Sequence, residues 1–272
     1  QIMWARSTWA GSQRYPLHWG GDPACSNTSM SASLRGGLSI GLSGFSFWSH
    51  DIGGFVETTP EELYARWTPF GMLTSHTRSH GTPPKEPWEY SEKFLNGFRE
   101  ATNMRYRLMP YIYAQAKHCT ETGLPMLRAL FVEYPDDPGA WLIDNQYLFG
   151  SDIMVAPLFE EVTERNVYLP GKGKWIDYQT GKVYSNGWNT IEAGKIPVVM
   201  LVREGAVIPH IKLAQSTKFM DWSELELRVY GKAEAKGWVC LPDENILKEV
   251  VVGSSGLKAN PFSGDRKFRI VR

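Results

Sequence analysis

The spacing of apolar residues changes character near Gly123. Before it, short apolar segments alternate with Gly-rich connections and amphipathic stretches, the pattern of repeated βα units. Met30 to Leu38 reads as a short helix. Leu38 to Trp48 alternates small with large apolar residues and predicts a strand buried on both faces, delivering Ser49-His50-Asp51-Ile52-Gly53-Gly54-Phe55 into a loop. A second helix is expected from Thr59-Pro60-Glu61-Glu62, where a threonine cap, a first-turn proline and two acids coincide. A strand is expected around Met72 to Thr77. Beyond it Phe94, Leu95, Phe98, Ala101, Leu108, Ile112 and Ala116 recur at helical spacing, with Gly123 as the stop and a kink at Pro110.

After Gly123 the pattern is that of short strands: Asn145 to Val155, Arg165 to Leu169, Trp175 to Asp177, Ile191 to Val202, Leu225 to Tyr230 and Gly237 to Leu241. Pro170-Gly171 and Asn186-Gly187 supply turns between them. The fold class is therefore α/β followed by all-β, with one or two sandwich modules expected in the second half. The stretch from Gly253-Ser254-Ser255-Gly256 onward is polar and reads as a tail.

Composition narrows the function. With 29 basic and 29 acidic residues the formal charge is zero, which gives no electrostatic reason to expect nucleic acid or an anionic membrane as partner. No apolar run approaches the roughly 20 residues of a membrane span. Cys25, Cys119 and Cys240 are widely spaced and read as free or buried thiols. The histidines lack metal-ligand spacing, and no phosphate loop, dinucleotide turn or serine elbow is present, so neither metal nor cofactor is expected. The start Gln1-Ile2-Met3-Trp4 has neither an initiator methionine nor a signal peptide and reads as a piece of a longer chain. Cytoplasmic and secreted locations both stay open, as does association into a homo-oligomer.

Polar residues collect where the strands of the first half meet loops: Arg6, His18, Trp19, Asp22, His50, Asp51, Arg78 and His80. Barrels and related βα folds build their sites there. Asp22 and Asp51 each adjoin a Gly-Gly pair. Each could be a turn or capping aspartate, and together they could be the paired carboxylates of a glycosidase. Arg6 could be a surface arginine or grip a carboxylate or hydroxyl, and His80 could be a capping histidine.

Four ordered motifs, Trp4-Ala5-Arg6-Ser7, Arg14-Tyr15-Pro16-Leu17-His18-Trp19-Gly20-Gly21-Asp22, Phe47-Trp48-Ser49-His50-Asp51-Ile52-Gly53-Gly54-Phe55 and His76-Thr77-Arg78-Ser79-His80-Gly81, resemble glycoside hydrolase family 31, especially its α-xylosidases. The likeness extends over roughly residues 1 to 205. It implies that residues 1–125 are the last strands and helices of a TIM barrel, that 126–207 form a proximal β-sandwich, and that 208–272 are a partial distal β domain or tail. It also implies Asp22 as general acid/base, Arg6 and His80 as sugar-binding, Trp19 and Phe55 as site walls, and Asp51 as a site residue supporting the sugar-binding arginine. The family's nucleophile is an aspartate on an earlier barrel strand, so the rest of the same enzyme is an expected partner, beside the oligosaccharide or glycoside substrate. An α-glucosidase and a non-catalytic sugar-binding module are the alternatives.

Overall fold

The computed structural model describes residues 3–258, 260–262 and 266–272. Three short parallel strands, β1 (Trp4–Ala5), β2 (Leu17–Trp19) and β3 (Phe47–Ser49), pair in the order β1-β2-β3. Between β2 and β3 lies α1 (Asn27–Leu42), capped by the Ser26 hydroxyl accepting from the Ser29 amide. Then follow α2 (Glu61–Met72), α3 (Glu92–Arg107) and α4 (Met109–Thr122).

Several expectations change. The segment Leu38 to Leu42 belongs to α1 and not to a strand, because Leu34, Gly37, Leu38 and Gly41 are buried at helical spacing. Gly37 lies so close to the Trp48 ring that a Cβ there would sit 2.4 Å from it, a contact available only in the helix. Thr59 does not cap α2, since its hydroxyl donates to the Gly53 carbonyl at 2.8 Å instead. Met72 to Thr77 forms no strand; α2 runs to Met72, and one bridge, Asp51 with Arg78, extends the parallel pairing. Finally, the stretch from Gly253 is not a tail but a tight turn between β15 (Leu247–Gly253) and β16 (Gly256–Leu257), followed by a paired strand at Lys267–Val271. Part of the expected tail, residues 259 and 263–265, lies outside the described residues.

The long helix read through to Gly123 is two helices meeting at Leu108, with Pro110 in the first turn of α4, where its missing N–H costs nothing. Gly123 closes α4 at φ +77°.

The second half opens with β4 (Leu127–Arg128) and the short α5 (Leu130–Glu133). Next come β5 (Tyr147–Phe149), β6 (Ile153–Pro157), β7 (Glu164–Leu169), β8 (Trp175–Asp177), β9 (Val183–Tyr184), β10 (Gly187–Glu192) and β11 (Val198–Arg203). Six of these strands form a sheet in the order β4-β5-β6-β11-β8-β9, and β7 and β10 form a separate antiparallel ribbon. The sheet is covered on both faces, which explains why β6 is buried at every position. Ile153 and Val155 pack with Phe70 and Tyr111 of the helices, whereas Met154 and Ala156 pack with Val167, Leu169 and Ile191 of the ribbon. Tyr147 donates to the Leu73 carbonyl and Tyr111 to the Phe149 carbonyl, tying helices to sheet. Beyond it, β12 (Val207–His210), β13 (Glu224–Val229) and β17 (Lys267–Val271) make one three-stranded sheet, and β14 (Ala235–Cys240), β15 and β16 make another, around a third core. All three cysteines are free thiols, and no described helix is long and apolar enough to cross a membrane.

Burial fixes the charge state of three histidines. His50 lies stacked on Phe70 with ring centroids 4.2 Å apart, and burial first, then the His76 charge, pushes its pKa down to about 3. Burial likewise brings His76 and His210 to about 4. These groups stay neutral when folded but take up protons near pH 6.5 when unfolded. Their contribution is complete above pH 6.5 and is lost as pH falls towards 4, with a slope of about 1.4 kcal/mol per pH unit for each. The urea midpoint should drop steadily from pH 7 to 4, and His50→Phe should flatten that drop; equal slopes in parent and variant would refute the assignment.

Candidate active site

Each strand of the parallel sheet delivers a polar residue just past its C-terminal end. Arg6 follows β1, Gly20-Gly21-Asp22 follows β2, and His50-Asp51 follows β3. Arg78, bridged to Asp51, and His80 occupy the next position around the curve. This is the face on which βα barrels carry ligand-handling groups.

Asp22 accepts a hydrogen bond from Arg6 Nη1 at 3.1 Å, with side chains 36% and 57% exposed. The close approach needs glycine: Gly21 has φ +81°, and a Cβ there would lie 2.7 Å from Arg6 Nε. A groove of about 540 Å³ opens beside Arg6 and Trp19 along one side of α1. On the far side a second groove, of about 660 Å³, runs from His80 to Trp88.

Asp51 is fully buried, so it does not face the groove. Its Oδ1 accepts from Arg78 Nε at 2.6 Å. Burial raises its pKa, outweighing the lowering by the hydrogen bond and charge of Arg78. The Arg78 guanidinium lies 4.6 Å from the Trp4 ring and 4.8 Å from the Trp19 ring, so two indoles hold it in place. Phe55 and His80 face one another with ring centroids 5.3 Å apart. The Phe55 amide donates to the Pro23 carbonyl and its carbonyl accepts from the Thr82 amide, which fastens the Asp22, Phe55 and His80 loops together.

The fold thus brings Arg6, Trp19, Asp22, Asp51, Phe55 and His80 to one end of the sheet. Two other candidates leave it. His18 makes an edge-to-face contact with Phe45, and His50 is buried among Trp48, Trp67 and Phe70. Two features escaped the sequence. Trp4, the second ring over Arg78, follows from strand parity only once β1 is placed. Lys85 is buried and donates to Thr59 Oγ1 and to the Glu57 carbonyl, with Cys25 Sγ 3.8 Å away. Through Thr59 and its bond to Gly53 this network props the Gly53-Gly54 turn, and burial lowers the pKa of Lys85. The described residues contain no group of His, Cys, Asp and Glu able to hold a metal ion.

Parallel strands that gather an arginine, an exposed carboxylate and aromatic side chains at their C-terminal ends have the layout of the ligand-handling end of a βα barrel. Comparison with known proteins makes this specific. Residues 1–115 match the glycosyl hydrolases family 31 TIM-barrel domain, and residues 123–208 match the glycosyl hydrolase family 31 C-terminal domain. The chain belongs to glycoside hydrolase family 31. It is 41% identical to an alpha-xylosidase of Emericella nidulans over 92% of its own length and 33% of that protein. It is 33% identical to alpha-glucosidase 2 of Bacillus thermoamyloliquefaciens, covering 81% of this chain and 28% of the relative. Among solved structures, the family 31 alpha-xylosidase from Xanthomonas citri superposes with a TM-score of 0.83 at 28% identity, over 92% of this chain and 30% of that one. The chain thus spans about a third of the length of the relatives it matches.

The Asp51–Arg78 pair gives a stability prediction. Arg78→Met would leave a fully buried carboxylate without its cation, a loss of about 3–5 kcal/mol. Urea unfolding should show that loss, with partial recovery in Asp51→Asn/Arg78→Met. A single variant within 1 kcal/mol of the parent, a threshold of about the worth of a surface pair, would show that the pair is not structural.

Proposed function

We propose that this chain supplies the acid/base half of a retaining α-glycosidase acting on terminal α-xylosyl residues of oligosaccharides or glycosides. The observation that carries the proposal is the placement of Asp22: a solvent-reachable carboxylate just past a parallel strand, turned by two glycines against Arg6. Asp22 protonates the departing glycosidic oxygen in the first step and takes a proton from water in the second. Arg6 and His80 bind sugar hydroxyls, Trp19 and Phe55 wall the subsite, and Asp51 acts through Arg78 without touching the sugar.

Double displacement also needs an attacking carboxylate roughly 5 Å from the acid/base. Asp51 is unsuited, being buried and committed to Arg78. The attacking group therefore comes from the rest of the full enzyme. An α-xyloside preference is supported by the names of two similar relatives, from Emericella nidulans and Lactiplantibacillus pentosus. The relative named alpha-glucosidase 2 keeps a glucoside preference as the second reading.

The test uses the full enzyme containing this sequence. Asp22→Asn should lower kcat/KM by about 10²–10⁴-fold on an α-xyloside with a sugar leaving group. The loss should be much smaller with a dinitrophenyl leaving group, which departs without protonation. Equal losses on both substrates would remove Asp22 from the acid role, and faster turnover of aryl α-glucoside than aryl α-xyloside would reverse the substrate assignment. Residues 1–272 alone should not turn over either substrate.

A further inference from the structure

The ribbon β7–β10 lies apart from the strand-end site, and its two faces differ. The inner face, Val167, Leu169 and Ile191, is buried in the second core. The outer face carries six residues in three directly opposed pairs: Trp188 with Tyr168, Thr190 with Asn166, and Glu192 with Glu164. Alternate residues on a strand are about 7 Å apart, so the three rungs extend over about 14 Å, the reach of a short oligosaccharide.

The first rung is aromatic. Tyr168 is locked, its hydroxyl donating to Asp137 Oδ1 at 2.6 Å and its ring abutting Gly139, where a Cβ would lie 2.3 Å from the ring. Trp188 stands at 60° to it with centroids 5.4 Å apart, and it stays 63% exposed. Here one ring is a fixed wall and the other an open floor.

The second rung is an amide and a hydroxyl. Thr190 Oγ1 donates to Asn166 Oδ1 at 2.8 Å, which occupies the amide oxygen of the exposed Asn166 and leaves its N–H donors outside that bond. The third rung opposes two exposed carboxylates, an arrangement that weakens strand pairing. Neither makes an ion pair among the described residues. Arg165, the cation of this ribbon, turns away to the Asn145 and Pro157 carbonyls.

We propose that this outer face is a second carbohydrate-binding platform, which takes the ring face of a neutral oligosaccharide on Trp188 and Tyr168 and its hydroxyls on Asn166, Thr190, Glu164 and Glu192. Aromatic faces suit the C–H side of a sugar ring, and amides and carboxylates suit its hydroxyls. The negative charge of the face turns away nucleic acid and acidic glycans. The platform does not depend on the role given to Asp22.

Native affinity electrophoresis of the full chain tests this, with xyloglucan or soluble starch as neutral probes and polygalacturonate as the anionic one. The parent and Asp22→Asn should be retarded equally by at least one neutral probe and not by polygalacturonate. Trp188→Ala should raise the apparent Kd at least about tenfold, the equivalent of 1.4 kcal/mol, without moving the urea midpoint. Should that midpoint fall, Asn166→Ala, which leaves the aromatic rung intact, decides by the same loss of retardation. Absence of retardation by both neutral probes, retardation unchanged in the deciding variant, or retardation lost in Asp22→Asn would each overturn the proposal.

Discussion

The buried bond between Asp51 and Arg78 is the contact on which the candidate site depends. It joins the end of β3 to the loop after α2, where no regular strand pairing exists beyond one bridge. A carboxylate with no exposed surface is costly unless it is paired. The chain meets that condition with a cation held between the Trp4 and Trp19 rings. Trp4, Trp19 and Asp51 come from β1, β2 and the end of β3, so one guanidinium fixes the spacing of three strand ends to the loop that carries His80. Were Arg78 to leave, the aromatic walls would lose their common partner along with the carboxylate.

Behind this end, rigidity comes from a core that ignores the change of sequence pattern near Gly123. The six-stranded sheet packs one face on α2 and α4, and Tyr147 and Tyr111 bond across the junction. α2 is therefore gripped by the parallel sheet on one side and by β6 on the other. Substituting a large residue at Gly71, whose Cβ would sit 2.3 Å from Ile52, would press on the segment that follows Asp51. The β half thus acts as a buttress for the loops that carry the candidate site.

Much of this was legible in the sequence, for identifiable reasons. Strands such as Glu164–Leu169 announce themselves because Val167 and Leu169 make one face apolar and turns bound the segment. The strand ends holding Asp22 and Asp51 were legible because Gly-Gly pairs mark backbone that must turn close to other groups. Leu38–Leu42 misled because Leu-Ser-Ile-Gly-Leu satisfies both a two-residue and a helical period, and the deciding contact, Gly37 on Trp48, is tertiary. His50 misled because neighbours in sequence point opposite ways: Asp51 bonds to Arg78, whereas His50 sinks between Trp48, Trp67 and Phe70. Lys85 was invisible because a buried lysine held by a hydroxyl and a carbonyl leaves no charge pattern to read.

The two ion pairs of the site differ in a way that matches the division of labour proposed for them. The Asp51 carboxylate is sealed from water and Arg78 is 26% exposed, so removing one partner alone leaves a charge unpaired at high cost. Arg6–Asp22 is largely exposed, and pairs of that kind contribute about 0–1 kcal/mol. The Arg6–Asp22 contact can therefore open without disturbing the fold. The pair around Asp51 holds the frame still while the exposed pair is free to rearrange.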